Sequence, residues 1–306
     1  MKKKNVLIYL GVVVSMLVWS LSFIWYKQLY LFNIHPISLI FFRLVISSSI
    51  LWLFLLAIRH AKLPDSRIMR QIALAALFEP FFYFLGECYG IQYVTSTTAA
   101  VIISTIPLFT PLASVFILKE KLGFYNWLGI ILSVLGIVMV MMENGLHFSA
   151  SPLGVVLMFL AVFAAVGYSV CIKKVTGKCS SIMVVALQNT FGIIYFLPLF
   201  LIMELKHVAS LNFSIEMFLP LLYLSFFASS LAFVLYIRAI DRIGAIRSNV
   251  LVNLIPVFTA IFSFFLLGEK LGLIRLLGVG VVILGVFIAQ VKSKVDESPE
   301  ETATHY

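Results

Sequence analysis

The sequence predicts an all-α membrane protein of ten transmembrane helices, arranged as two inverted-topology five-helix repeats. Three observations carry this. Hydrophobic residues are 62% of the chain and charged residues 11%, against about 25% charged in a soluble domain. The stretch from Thr95 to Met141 returns as Gly244 to Gln290, a constant 149 residues later. Lys and Arg, finally, are distributed very unevenly between alternate loops.

In chain order, the first apolar run follows Met1-Lys2-Lys3-Lys4, a basic start like that of a signal peptide. It continues to about Tyr26 with no small-residue cleavage site, so it reads as a retained helix. Nine more runs lie at 36–58, 71–91, 96–118, 124–142, 152–172, 182–204, 216–237, 245–267 and 273–291. Most are long enough to span a bilayer at about 1.5 Å per residue. They divide the chain into a first repeat at 1–143, a second at 152–291 and a polar tail at 292–306, expected to be disordered and cytoplasmic. No room is left for a soluble domain.

The repeat is densest where Ile106-Pro107 through Leu122-Gly123 matches Ile255-Pro256 through Leu271-Gly272, identical at eleven of eighteen positions. Each copy is an apolar helix with a central proline, a Glu-Lys-Leu-Gly turn, and a second helix with glycines seven apart, Gly129 and Gly136 or Gly278 and Gly285. Pro107 and Pro256 are expected helix kinks. With the N-terminus on one side, that side collects seventeen Lys and Arg and the other four, while Arg43 alone lies within a span. Both termini are therefore expected in the cytoplasm. Five helices per half is an odd number, so the two copies cross the membrane in opposite senses, as in secondary transporters.

Trp19-Ser20 with Phe23 and Lys27, Pro36 to Arg43, Ala99 through Pro107 and the two Glu-Lys-Leu-Gly turns resemble the drug/metabolite transporter superfamily, specifically its ten-helix EamA-type permeases. The resemblance spans nearly the whole chain. It implies export or exchange of small metabolites, often amino acids or related compounds, through a central cavity shared by the halves at the cytoplasmic membrane. Glu79-Pro80 and Glu87 lie outside the family pattern and mark a subgroup.

Candidate site residues come from polar groups within the spans. In helix 3, Glu79, Tyr83, Gly86, Glu87 and Gly90 fall within about 100° of one face. Carboxylates are costly in a membrane and face a bundle interior or a cavity. Counting depth from the helix ends pairs Arg43 with Glu87 as a structural ion pair. Glu79 lies deeper with no counter-charge, suited to carrying a proton or meeting a substrate amine. Gly86 and Gly90 suit close helix contact. Asn249 and Asn253 share a face with Pro256, and Ser225, Ser229 and Tyr236 form a small polar face on helix 8, with Tyr236 at the repeat position of Glu87. Trp19 and Tyr168 join the expected cavity from mid-helix positions.

Other classes fit less well. The net charge of +9 is spread over short loops rather than one basic face, which excludes nucleic acid as a partner. Three dispersed cysteines form no disulfide framework, and the five histidines have no metal-ligand spacing. An intramembrane enzyme would need a zinc-protease, diphosphate, nucleophile-elbow or phosphate-loop signature, and none is present. A receptor or scaffold without flux is the remaining alternative. The expectation is thus a secondary carrier with no enzymatic activity, metal or cofactor, whose partners are a small-molecule substrate and the lipid bilayer.

Overall fold

The structure is a computed structural model that describes residues 2–59, 62–109, 124–143, 147–148, 151–211, 213–243, 248, 251–269 and 272–289. Ten helices account for nearly all of them: α1 (Lys2–Tyr30), α2 (Pro36–Ala57), α3 (Ser66–Tyr93), α4 (Ser96–Phe109), α5 (Phe124–Met141), α6 (Pro152–Ile172), α7 (Ser181–Val208), α8 (Ile215–Ile243), α9 (Leu251–Leu267) and α10 (Leu273–Ala289). Seven are long and apolar enough to cross a membrane, and α4, α9 and α10 are shorter apolar helices. Among the described residues there is also a pair of two-residue strands, Met142–Glu143 against His147–Phe148. Asn249, the Glu120-Lys121 pair, Lys270 and the 292–306 tail lie outside the described residues.

Helix ends follow local chemistry. Asp65, Thr95, Ser180 and Ser214 cap α3, α4, α7 and α8 by accepting a hydrogen bond from a first-turn backbone N–H. Pro36 and Pro152 open α2 and α6, where a missing N–H costs nothing. Gly268 ends α9 in the left-handed region at φ 67°, a conformation that a side chain would strain.

Repeat counterparts pack on one another and run antiparallel. On α5 and α10, a methyl group built at Gly136 would lie 2.6 Å from Val282, while one at Gly285 would meet Ser133 and Gly129. The glycines let the two backbones touch, the usual way to gain van der Waals contact where lipid offers no hydrophobic drive. On α2 and α7, Ser38 donates to Glu204 at 2.8 Å and Asn189 donates to Ser47 at 2.7 Å. Rising sequence number on one helix meets falling number on the other in both pairs. The rest of the packing obeys the same exchange: α3 lies on α6 as α8 lies on α1, and α4 touches α6 as α9 touches α1. These are two five-helix repeats related by inversion.

Large apolar side chains such as Phe163, Ile202 and Phe265 point outward, where only lipid can cover them. Polar side chains turn inward, among them Arg43, Glu79, Glu87, Asn189 and Asn253.

Candidate functional site

The middle of α3 and the middle of α8 both leave the regular α-helix. In α3 the wide π-type winding covers Leu77–Phe82, with Glu79 at a non-helical φ of −142° and ψ of 112°, and the peptide joining Glu79 to Pro80 is cis. In α8 the same winding covers Leu224–Ala232. The two stretches are repeat counterparts, since the offset of 149 carries 77–82 onto 226–231. Opening a helix frees backbone carbonyls, and in a membrane these need other donors. Around α8 those donors are side chains: Trp19 Nε1 donates to Ala228 O at 3.2 Å and Ser15 to Ala232 O at 2.9 Å.

Beside the irregular stretch of α3, with Phe233 just past that of α8, lies a cavity of about 60 Å³, lined by both repeats. The first repeat contributes Trp19, Ser22, Phe23, Arg43, Glu79, Tyr83, Phe84, Glu87, Ile103 and Ile106, and the second Ala165, Tyr168, Ser169, Phe233, Tyr236, Val252 and Ile255. Of the candidates read from sequence, Trp19, Glu79, Tyr83, Glu87, Tyr168 and Tyr236 therefore meet around one space.

Arg43 and Glu87 form the charged wall. Arg43 Nη1 lies 3.8 Å from Glu87 Oε2, and both side chains are nearly inaccessible. The guanidinium donates to the Tyr26 hydroxyl and to Ser229 Oγ and rests 4.1 Å above the Phe84 ring. Glu87 accepts from Tyr26 at 2.8 Å and from Tyr83 at 3.1 Å. Each charge is thus both paired and hydrogen-bonded, which is what burial of an ion pair requires.

Glu79 stands apart. It is 7% exposed, faces the same cavity, and has no hydrogen bond or ion pair among the described residues. Asn253 is buried with neither amide atom partnered among the described residues, and it is not one of the cavity-lining residues. Ser229 is likewise set back, accepting from Arg43.

The single face expected on helix 3 meets two neighbours. A methyl at Gly86 would meet the backbone of Ala161 at 2.7 Å, and one at Gly90 would meet Met158, so the glycines face α6 while Glu79, Tyr83 and Glu87 face the cavity. From Tyr83 on the helix is regular, and Gly86 and Gly90 sit about 60° round from Tyr83 and Glu87 respectively, so one broad face serves both neighbours. The prolines also sit differently from simple kinks. Turn residues Ser104 and Thr105 precede Pro107, and the 3₁₀ turn Leu251–Asn253 precedes Pro256, so each proline stands in the first turn of a fresh helical segment, where it is tolerated.

Sequence reasoning missed Tyr26, Phe84 and Phe233. Tyr26 was within reach, since Trp19, Phe23, Tyr26 and Tyr30 follow helical spacing on one face of α1. It also missed a cluster at the N-terminal end of α2: His35 Nδ1 lies 3.1 Å from the buried Glu204 carboxylate and its ring stacks on His207.

The sequence profile of the EamA-like transporter family matches twice, over residues 6–142 and 152–290. The chain belongs to the EamA-like transporter family. Two relatives illustrate the range of this family. A protein of Archaeoglobus fulgidus named as an uncharacterized transporter is 28% identical over 286 residues, covering 93% of this chain and 97% of its own. Transporter YdfC of Bacillus subtilis, also named as uncharacterized, is 27% identical over 271 residues, covering 89% and 86%. A solved crystal structure superposes with a TM-score of 0.69 at 16% identity, covering 93% of this chain and 98% of that one; at that identity the likeness concerns the fold. This is a multi-pass membrane protein of a transporter family.

Proposed function

We propose that the protein is a secondary carrier that exports or exchanges small metabolites, such as amino acids or related compounds, across the cytoplasmic membrane by alternating access. The observation that carries this reading is the cavity itself, lined by side chains of both inverted repeats and bordered by the break at Glu79 in α3. A site between inverted repeats, next to a discontinuous helix, is the arrangement a rocking mechanism uses. Each half could close one end of the cavity while the other opens, with the site held between them. The N- and C-termini lie in the cytoplasm on this reading, because seventeen of the Lys and Arg residues then face inward.

Trp19, Tyr83, Tyr168 and Tyr236 supply the walls of the substrate cavity, the Arg43–Glu87 pair fixes its frame, and Glu79 is its carboxyl without a partner among the described residues. Catalysis is not part of this reading. The test is a metabolite profile of medium and cytosol from cells with and without the protein. At least one small metabolite should shift between the compartments when the protein is present. Identical profiles, with the protein in the membrane, would contradict the reading.

A further inference from the structure

The hydrogen-bonding groups around the cavity can be followed one at a time. The Trp19 indole donates to Ala228 O, the Tyr168 hydroxyl to Gln188 at 2.9 Å, and the Tyr83 hydroxyl to Glu87. Ser22 and Ser169 each donate to a carbonyl of their own helix. Arg43 and Glu87 answer one another. Glu79 is left, a nearly buried carboxylate that lines the space with no partner among the described residues.

The charge pattern follows. Arg43, Glu87 and Glu79 are the Arg, Lys, Asp or Glu side chains among the described lining residues, and with Arg43 paired to Glu87 the Glu79 carboxyl is the one left without an ion pair. Among the described lining residues an occupant's carboxylate would find no cation without a carboxylate partner, whereas an ammonium group would find the Glu79 carboxyl. The rest of the lining is rich in aromatic rings, with Trp19 packed edge-on against Phe233 and Tyr236 at centroid distances of 5.1 and 5.0 Å. Ring faces attract organic cations and cover apolar bodies.

From this juxtaposition we infer that the cavity takes an organic ammonium ion with an apolar body, its charge held by the Glu79 carboxylate, in preference to a zwitterion or an organic anion. The inference rests on reading the cavity as the transport site and narrows its substrates to the amine-bearing class.

Three probes of one shape separate the charge types: 2-phenylethylammonium, L-phenylalanine and 3-phenylpropionate. Their binding to the full chain in lipid nanodiscs at neutral pH is measured by calorimetry. The cation should bind at least roughly tenfold tighter than either carboxylate-bearing probe. Glu79→Gln should remove that preference and Glu79→Asp should keep it. Should Glu79→Gln fail to fold, the wild-type selectivity and Glu79→Asp still decide. Equal or tighter binding of phenylalanine or phenylpropionate would overturn the inference, as would binding of none of the three, or an unchanged cation affinity in Glu79→Gln. Counterflow of labelled phenylalanine through wild-type vesicles would overturn the substrate class while supporting transport. Tight cation binding without counterflow of that cation would support the class and count against transport.

Discussion

Arg43 and Glu87 are held in a shell of Tyr26, Tyr83, Ser229 and Phe84, so neither charge can be removed without stranding the other. Arg43→Gln or Glu87→Gln alone should cost about 3 to 5 kcal/mol, because an uncompensated buried ion remains. The double variant should cost clearly less than the sum of the two. Thermal unfolding of the four proteins in detergent measures this, and full additivity would mean the pair contributes nothing as a pair. The pairing could be read from sequence by counting depth along two helices, since charges are rare in spans and Arg43 lies well inside one rather than near its end. The tyrosine shell could not be read that way. Twelve tyrosines are present, and although Tyr26 shares a helical face with Trp19 and Phe23, it is the packing of α1 against α2 and α3 that brings it to Arg43 and Glu87. Ser229 was legible as a polar face of helix 8, but its use by Arg43 depends on the break in that helix.

Helix ends and helix breaks divide along the same line. Caps and proline starts are written in adjacent residues, so most helix boundaries were readable to within a few positions. The π-type windings in α3 and α8 were not, because apolar sequence such as Leu224-Ser225-Phe226-Phe227 fits regular helix equally well, and tertiary donors such as Trp19 and Ser15 decide the matter. The second Glu-Lys-Leu-Gly turn gave a further long-range contact that no local pattern announces. Gly268 reverses the chain after α9 and places Glu269 at the start of α4, where its carboxylate accepts from Ser96 N and Thr97 Oγ1, both at 3.0 Å. An anion at a helix N-terminus satisfies orphan donors and complements the dipole. Lys27 completes the corner by donating to Val94 O at 2.7 Å, at the end of α3. Glu269→Ala should destabilise the protein by about 1 to 2 kcal/mol, and Glu269→Gln by less, because an amide oxygen still accepts. Equal unfolding midpoints for wild type and Glu269→Ala would rule out this capping role.

The two repeats could be recognised from sequence because they share a turn, a proline and a glycine spacing at constant offset. Their inversion followed from an odd helix number and the Lys and Arg count. How they meet was not legible, because antiparallel contact of α5 with α10 and of α2 with α7 depends on surfaces rather than spacing. That contact places one cavity against both halves, and the proposal is that each half opens it in turn. Ala165 lines this cavity and is small, so a thiol there reports access with little disturbance. The decisive measurement introduces Ala165→Cys in a background with Cys88, Cys171 and Cys179 replaced, and treats right-side-out and inside-out vesicles with a membrane-impermeant maleimide. Alternating access predicts labelling from both faces, slowed in each case by saturating transported substrate. Labelling from one face only, whatever ligand is present, would contradict it and leave a one-sided binding pocket.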